Sequence, residues 1–452
     1  MRIAVSKPLF AWDELEDSPS LVTLRRLLAA LPDGSLLEGL RQARGRGRND
    51  YAVHVLWGVV ILTIALRHVT FEACLEELRR NAALRRLIGI HREAGVPKKW
   101  NLSRFLDVLG QDPHRTRLQE VFAVMAQRLG RAVPDLGRDL AGDATSLNAR
   151  RKAAEAAATA EGNEGLPQPS GGRKEYTDEK GQVTRVVEWH GYKLHLLVDV
   201  KHEVSLAYTV TATSAGDGET LPLILRQAEA NLPPGRIHTL AYDKAADSNG
   251  VHALLEAARI KPLIQMRRLW KEESEKMLPG HDGNSQVVYD EAGTLYCYDR
   301  VSQPMVRHRM AYTGYEEARG TLKYRCPAVH EGWSCPSQGR CNANRPFGMT
   351  VRVKRDIDLR RFPPIPRATR QFERRYCGRT AVERVNGRLK VFWGADDGNI
   401  SGARRFHAFV GCVMAVHLAF ATVLASTPRR EGSLGKMRLS PIAKALQTAV
   451  AG

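Results

Sequence analysis

The sequence lacks the features of a secretory signal at its N-terminus. The opening residues, MRIAVSKPLFAWDELEDS, turn acidic before any long apolar segment develops, whereas a signal peptide requires an apolar centre. Cysteine is also scarce, with 7 in 452 residues, and this does not suggest the disulfide framework of a small secreted protein. We therefore expect a cytoplasmic protein.

Apolar runs long enough to cross a membrane are few. The run from Val53 to Leu66 is shorter than the ~20 residues that a membrane helix requires. The run from Phe406 to Ser426 is long enough, but it contains His407 and His417 and is rich in small residues. We expect both runs to be buried helices of a large soluble protein, with no membrane partner.

Acidic residues are in deficit. Asp and Glu number 49 against 68 Lys and Arg, so the formal net charge is +19 and the pI is about 9.8. Residues 351–390 alone hold thirteen basic and four acidic residues, a net charge of +9. An excess of this size indicates a polyanionic partner, most simply nucleic acid, and its concentration in one segment favours a DNA-binding track.

Residues 1–135 are predicted to form an all-helical N-terminal domain that binds DNA ends or mediates dimerisation. The segment NLSRFLDVLG favours either a helix-turn-helix-like contact with DNA or a plain helical bundle. Helical spacing of apolar residues, with Pro, Gly or Asn at the breaks, covers residues 21–31, 51–66, 71–87, 102–109 and 115–129.

Residues 136–267 have the pattern of an α/β domain. A short strand in RDLAGDATSLN precedes a polar linker over residues 149–181, and two strand-like runs follow, VTRVVEWHGYKLHLLVDV and VSLAYTVTAT. Helices then alternate with the strands IHTLAYD and KPLIQM. This order predicts a mixed sheet with an antiparallel side, flanked by helices.

A cysteine-rich insertion over residues 268–350 interrupts this pattern. The strand-like GMTVRVKR is expected to resume it, so that residues 351–426 form the second part of the α/β domain. Residues 427–452 are a basic C-terminal tail.

The run YCGRTAVERVNGRLKVF, from Tyr376 to Phe392, carries a single acid, Glu383, among basic residues. At about 100° per residue, a helix would bury one stripe and display one polar row on the other side. A surface helix with an Arg379–Glu383 ion pair would give the same spacing. The predicted stripe holds Val382, Val385, Leu389 and Phe392, and the row holds Tyr376, Arg379, Glu383 and Lys390.

Two further acids stand at predicted strand ends. Asp143 lies in LAGDATSL, and Asp243 ends the strand IHTLAYD and begins DKAADS. A lone carboxylate facing phosphate is unfavourable, but two or three carboxylates that hold Mg²⁺ remove the conflict, because such an ion shares its shell with substrate phosphates.

Taken in order, Asp143, the DKAAD segment of Asp243 and the Tyr-x2-Arg-x3-Glu-x6-Lys pattern of Glu383 resemble the DDE transposases of bacterial insertion sequences. The match is to the subgroup with a Tyr-Arg-Glu-Lys signature, and the likeness covers nearly the whole chain. The resemblance implies an RNase H-like catalytic domain, an all-helical N-terminal domain and an insertion between the second and third acids.

The same resemblance implies the site. Asp143, Asp243 and Glu383 would bind two Mg²⁺ or Mn²⁺ ions, and Tyr376, Arg379 and Lys390 would hold backbone phosphates. Water would nick double-stranded DNA at the transposon end, and the freed 3′-hydroxyl would then attack target DNA. Such a protein would act as a homodimer or larger assembly in a bacterial cytoplasm, associated with the nucleoid. Lys193 and Lys244 are additional candidates for phosphate contacts.

Two alternatives stay open. A transposase-derived DNA-binding protein that no longer cuts would keep the basic surface, and a metal-dependent nuclease of the same fold would cut without joining. An intact acidic trio argues against the first, because a mere binder gains nothing from carboxylates placed against phosphate.

The remaining acids and histidines receive structural interpretations. Asp247 is most simply an N-cap, and Asp199, Asp217 and Glu219 are most simply turn or cap residues. His190 and His195 are expected to pack against the sheet or to touch DNA.

Four of the cysteines fall within one window of the insertion, and they suggest a structural Zn²⁺ site. The spacing lacks the tight Cys-x2-Cys of common zinc folds, and His330 could replace one ligand. Free thiols in a reducing cytoplasm are the alternative. The four are Cys297, Cys326, Cys335 and Cys341.

Overall fold

The structure is a computed structural model that describes residues 19–45, 50–150, 165–178, 182–267, 270, 275–279, 286–397, 399–426 and 434. The predicted C-terminal tail, residues 427–452, therefore lies outside the described residues except for Leu434. The linker predicted over residues 149–181 is described only in part, and its described portion includes a strand.

The N-terminal region is helical, as predicted. The second helix was not predicted from the sequence, and the fourth and fifth were predicted as one. These two are separate because the Asn81 side chain accepts a hydrogen bond from the Leu84 amide at 3.0 Å and so begins a new helix. The helices are α1 (Pro19–Ala30), α2 (Gly34–Arg44), α3 (Val53–Ala65), α4 (Phe71–Arg80), α5 (Ala82–Leu87), α6 (Lys99–Leu109) and α7 (His114–Ala132).

A six-stranded mixed sheet forms the centre of the fold, as the RNase H-like prediction requires. Its strands are β1 (Asp139–Asn148), β2 (Ser170–Thr177), β3 (Val183–Asp199), β4 (Ser205–Ala212), β5 (Thr239–Tyr242) and β6 (Lys261–Ile264). The strand β3 is antiparallel to β1, β2 and β4, whereas β1, β5 and β6 are parallel to one another.

Helices flank this sheet. α8 (Asp217–Asn231) packs against β3 and β4, and α13 (Thr380–Gly387) packs against β1 and β3. Between β5 and β6 the chain forms α9 (Asn249–Ala257), and α12 (Arg370–Tyr376) lies against β6. The parallel strands are therefore joined through helices, as parallel strands require.

The long apolar helix α14 (Ala403–Ala425) has the length and composition of a membrane span, but 83% of its apolar window is buried within the protein. It packs against α1, α3, α6 and α7 on one side and β4 on another. Inside it, the His417 Nε2 atom accepts a hydrogen bond from the Ser205 amide at 3.0 Å, and burial lowers the pKa of His417 to about 3. One continuous hydrophobic core thus joins the N-terminal helices to the sheet through α14.

The insertion between β6 and α12 forms two small antiparallel sheets with a hydrophobic core of their own. One sheet contains β7 (Lys276–Met277), β8 (Val287–Tyr289), β9 (Leu295–Asp299) and β10 (Val306–Arg309). The other contains β11 (Ala311–Glu316), β12 (Thr321–Arg325) and β13 (Thr350–Lys354), with the short helices α10 (Pro327–Glu331) and α11 (Gln338–Cys341) between β12 and β13.

The strand predicted in GMTVRVKR is present, but the prediction that it belongs to the central sheet is wrong. β13 pairs with β12 in the insertion, with Val351 opposite Tyr324 and Val353 opposite Leu322. Its buried residues alternate with exposed ones, as in any half-buried strand, so periodicity alone could not identify the sheet to which it belongs.

Candidate active site

Asp143 and Asp243 lie side by side because β1 and β5 are parallel and in register. Ala141 pairs with Ala241 in this ladder. Asp143 stands two residues further along β1, and Asp243 stands two residues further along the chain, directly after β5. Side chains two residues apart in a strand share a face. The Asp243 carboxylate also accepts a hydrogen bond from the Lys244 amide at 2.6 Å, which begins a short 3₁₀ turn.

Gly142 allows β1 to pack closely against β5, so that the two strands hold Asp143 and Asp243 near each other. The Tyr242 ring is fully buried and lies against the Gly142 backbone, so that a Cβ atom at position 142 would overlap the ring and approach the Leu197 side chain within 2.9 Å. The motif therefore needs glycine next to the first acid for packing, a requirement that the sequence analysis did not identify.

Glu383 projects from α13, whose opposite side is held against the sheet by Ala381, Val382 and Val385, all fully buried. The predicted stripe is confirmed at three of its four positions, since Leu389 is also buried whereas Phe392 is only half-buried. The carboxylate side is open to solvent, with 49% of the Glu383 side chain exposed.

The predicted continuous helix from Tyr376 to Phe392 is broken in the structure. Tyr376 ends α12, a 3₁₀ turn covers Cys377–Arg379, and residues Arg388–Phe392 form a π-helical turn after α13. The placement of side chains at 100° per residue therefore holds only within α13, because each change of helix type rotates the following side chains.

Arg379 is the common neighbour of all three acids. Its Nη2 atom donates to Glu383 Oε1 at 2.6 Å, and its charge also interacts with Asp143 and Asp243, which raises the pKa of Arg379 despite partial burial. The three carboxylates predicted from the sequence are thus grouped around one guanidinium.

Asp143 is the most perturbed of these acids. Burial raises the pKa of Asp143 to about 6, with smaller contributions from the charges of Asp217 and Asp243; the Ala144 amide and Arg379 oppose the shift. An ionised Asp143 therefore lacks adequate compensation when only protein groups surround it.

Tyr376 lies beside this group in a stacked arrangement. Its ring is parallel to that of buried Phe372, with centroids 5.6 Å apart and 10° between the planes. Burial raises the pKa of Tyr376, although Arg379 opposes the rise. The phenol is therefore a neutral hydrogen-bonding group at the edge of the acidic cluster.

Lys390 is held near the far end of β1. Its Nζ atom lies 3.1 Å from Asp396 Oδ2 and 3.5 Å from Ser146 Oγ. Asp396 also accepts a hydrogen bond from the Asn148 amide at 2.6 Å, so the lysine is positioned by a carboxylate that is itself fixed to the end of β1.

The Lys193 ammonium group forms an ion pair with Asp217, which was interpreted from the sequence as a turn or cap residue. Its Nζ atom donates to Asp217 Oδ1 at 2.7 Å and to the Ala215 carbonyl at 3.0 Å. Asp217 starts α8 and interacts electrostatically with Asp143. Sequence spacing gave no signal for this fourth acid, since 74 positions separate it from Asp143.

His195 belongs to the same cluster but is uncharged near neutral pH. Its Nε2 atom lies 3.0 Å from Thr211 Oγ1 and its Nδ1 atom lies 3.7 Å from Asp217 Oδ1. Burial lowers the pKa of His195 to about 4 even though Asp217 favours the charged form. The prediction that His195 packs against the sheet is confirmed, since the side chain is fully buried. The side chain of Lys244, in contrast, is exposed.

Asp247 was interpreted as an N-cap, and this is wrong. Ser248 caps α9 instead. Asp247 is buried and accepts hydrogen bonds from Arg360 Nε at 2.9 Å, from His252 Nε2 at 3.1 Å and from the Arg267 amide at 2.8 Å. Although burial opposes it, these bonds lower the pKa of Asp247 to about 2.

The basic segment 351–390 is largely neutralised within the protein. Buried Arg355, for example, pairs with Glu256, and Arg388 pairs with Glu203. The buried arginines of this segment therefore stabilise the fold, whereas others, such as Arg352, Arg375 and Arg384, have exposed side chains. The basic residues with an ion-pair partner are Arg352, Arg355, Arg360, Arg361, Arg367, Arg375, Arg379, Arg384, Arg388 and Lys390.

The donor set of the acidic cluster fits divalent cations. Three carboxylates offer the hard oxygen ligands that Mg²⁺ and Mn²⁺ prefer. The raised pKa of Asp143 and the position of Arg379 among the acids both indicate a site where additional positive charge is favourable.

The mixed sheet and the acidic cluster beside Arg379 together define an α/β protein with a candidate divalent-metal site. Residues 136–418 match a family model described as a transposase DDE domain. The chain belongs to this family of DDE transposases, which act on DNA and use divalent metal. A comparison with curated proteins gave no match.

Proposed function

We propose that this transposase excises and inserts a bacterial insertion-sequence element by cutting its DNA ends and joining them to target DNA. The observation that carries the proposal is the grouping of Asp143, Asp243 and Glu383 around Arg379 within the family match. The Tyr-Arg-Glu-Lys spacing supports assignment to the subgroup with that signature.

Asp143, Asp243 and Glu383 would hold two Mg²⁺ or Mn²⁺ ions. When bound, such ions lower the pKa of an attacking water or 3′-hydroxyl and stabilise the leaving oxygen. The carboxylates supply the negative charge that keeps the ions at the strand ends, and Glu383 also holds Arg379 at 2.6 Å.

Arg379 would turn toward the DNA once cations neutralise the acids. Its planar guanidinium suits bidentate binding of a backbone phosphate, whereas Lys390 would act as a point charge. Tyr376 would donate a hydrogen bond to a phosphate oxygen, since burial keeps its phenol protonated. Exposed Lys244 and the Lys193–Asp217 pair flank the acids and would contact DNA further from the cleaved bond.

Each part of the chain would have the role that the sequence suggests. Residues 1–135 would bind transposon ends or mediate dimerisation. Residues 136–267 and the chain from α12 to residue 426 would form the catalytic unit, the segment between them that holds β7–β13 would be an insertion, and residues 427–452 would be a basic tail. Two ends must be cut together, so the active assembly would contain at least two copies, in the cytoplasm at the nucleoid.

The proposal is tested with a plasmid that carries the DNA flanking the protein's own gene as transposon ends, together with Mg²⁺ or Mn²⁺. We expect nicked and excised donor and, with a second plasmid, joined product. The variant Glu383→Gln should abolish both reactions and retain binding to the ends, because many phosphate contacts elsewhere support binding.

The matched control is Glu373→Gln, the same substitution at an exposed residue of α12. It should cut and join like the wild type. Wild-type cleavage by Glu383→Gln would falsify the site assignment. Cleavage without joined product would identify a nuclease, and binding without either reaction would identify a silent DNA-binding protein.

A further inference from the structure

The insertion carries four cysteines on three separate pieces of chain. Cys297 lies in β9, Cys326 follows directly after β12, and Cys335 and Cys341 lie in the segment that leads to β13. All four are free thiols. Cys326 is buried and the other three are partly buried, so none is a freely solvated surface thiol.

Contacts connect three of these positions. The Cys341 thiol donates to Gln286 Oε1 at 3.2 Å, and the Gln286 carbonyl accepts from the amide of Tyr298, the residue after Cys297, at 3.1 Å. Asn342, the residue after Cys341, contacts Cys326 Sγ through its Nδ2 atom at 3.6 Å.

The fourth position, Cys335, reaches the same region through β10. Its sulfur lies within 4.8 Å of ligand atoms of Asp299 and His308. His308 is the residue directly opposite Cys297 in the β9–β10 ladder, and directly opposed residues of an antiparallel pair have neighbouring side chains.

We propose that Cys297, Cys326, Cys335 and Cys341 bind one structural Zn²⁺ ion as a four-thiolate site. The ion would connect β9 of the four-stranded sheet to the end of β12 in the three-stranded sheet. Short strands and a small core give the insertion little apolar stabilisation, and a structural zinc site supplies such a module with folding free energy.

Asp299 and His308 are the competing ligands. The Asp299 carboxylate has other partners, whereas the buried His308 Nε2 atom has no hydrogen-bond partner among the described residues. Asp299 accepts hydrogen bonds from Ser337 Oγ at 2.6 Å and from the Val301 amide at 2.9 Å, and also bonds Ser302. The His308 ring lies 4.8 Å from the Trp333 ring. The Asp299 bonds fix the turn after β9 and so give Asp299 a supporting role, while His308 is the alternative ligand that the variants below test.

The test is the zinc content of full-length protein purified without a metal-binding tag and then equilibrated with Zn²⁺ in reducing buffer. We expect about one tightly held zinc per chain, released when a mercurial reagent modifies the thiols. Each of the substitutions Cys297→Ser, Cys326→Ser, Cys335→Ser and Cys341→Ser should reduce this to less than a tenth. Cys377→Ser, at an exposed thiol outside the insertion, is the matched control and should keep one zinc.

His308→Ala and Asp299→Asn distinguish the two ligand sets, and retention of zinc by both supports the four-thiolate site. Absence of bound zinc from the wild type would overturn the proposal. So would retention of zinc by Cys297→Ser or Cys341→Ser together with its loss from His308→Ala. Because misfolding of a Cys variant would also release zinc, the Co²⁺-substituted wild type provides a second measurement: strong thiolate-to-metal charge-transfer absorption supports the site, and its absence refutes it.

Discussion

Replacing Asp143 by Asn should make the metal-free protein more stable while it abolishes catalysis. Burial raises the pKa of Asp143 from 3.8 to about 6. Each pKa unit corresponds to about 1.4 kcal/mol, so the ionised carboxylate costs the folded state up to about 3 kcal/mol. The neutral amide of Asn avoids this cost.

The sign of the pH dependence follows from the direction of the shift. The folded-state pKa lies above the unfolded value, so the unfolded state loses its proton first as the pH rises. The cost is absent below the unfolded pKa of 3.8, grows as the pH rises toward 6 and is constant above it. The stability of Asp143→Asn should therefore exceed that of the wild type at pH 7.5 and approach it at pH 4.

The assay is thermal unfolding of wild type and variant across this pH range in magnesium-free buffer without chelator. At about 2–4 °C per kcal/mol for a unit of 150–250 residues, we expect Asp143→Asn to unfold several degrees higher at pH 7.5. Added Mg²⁺ should stabilise the wild type by mass action and so reduce the difference in unfolding temperature between the wild type and Asp143→Asn. The control Asp356→Asn, at an exposed acid, should change little.

A lower unfolding temperature for Asp143→Asn at pH 7.5, or an advantage that persists undiminished at pH 4, would refute this reasoning. Either result would mean that burial of the Asp143 carboxylate does not oppose its ionisation.

Three further predictions concern packing, a buried ion pair and assembly. Gly142→Ala should destabilise the protein by about 1–3 kcal/mol through overlap with the Tyr242 ring, seen as a lower unfolding temperature; an unchanged temperature would contradict it. Asp247→Asn should cost about 3–5 kcal/mol because it leaves the buried Arg360 guanidinium without its carboxylate, whereas Asp356→Asn measured in parallel should cost almost nothing. Mass measurement of the assembled complex with two transposon ends should give at least two protein chains, and a single chain would exclude the proposed pairing.

The sheet and the acids at its strand ends were predictable because their signals are local. Asp143 lies within β1 and Asp243 directly follows the apolar strand β5. Glu383 stands opposite a buried helical stripe whose Val382 and Val385 follow the 3.6-residue period. Alternation of helix and strand was enough to indicate parallel neighbours.

What the sequence could not reveal depends on long-range partners. The Asp247–Arg360 pair joins positions 113 apart, and no local pattern distinguishes its aspartate from a helix cap. Similarly, nothing in the sequence of β13 specifies that β12 is its neighbour. The proximity of Asp217 to Asp143 depends on where α8 begins in the folded protein. For the same reason, the sequence could not show which basic residues of segment 351–390 form ion pairs within the protein.

The contact made by Asp247 has a consequence for how the architecture can vary. The Arg267 amide donates to Asp247, while the Arg267 carbonyl accepts from Arg360 Nη2 at 2.9 Å. The chain therefore leaves the catalytic unit and returns to it at one fixed point. Since the entropy of closing a loop grows only slowly with its length, we expect this point to accept insertions of very different size without displacing the acids. The insertion is in this sense an exchangeable module, and evolution or protein engineering can replace it while the chemistry stays in place.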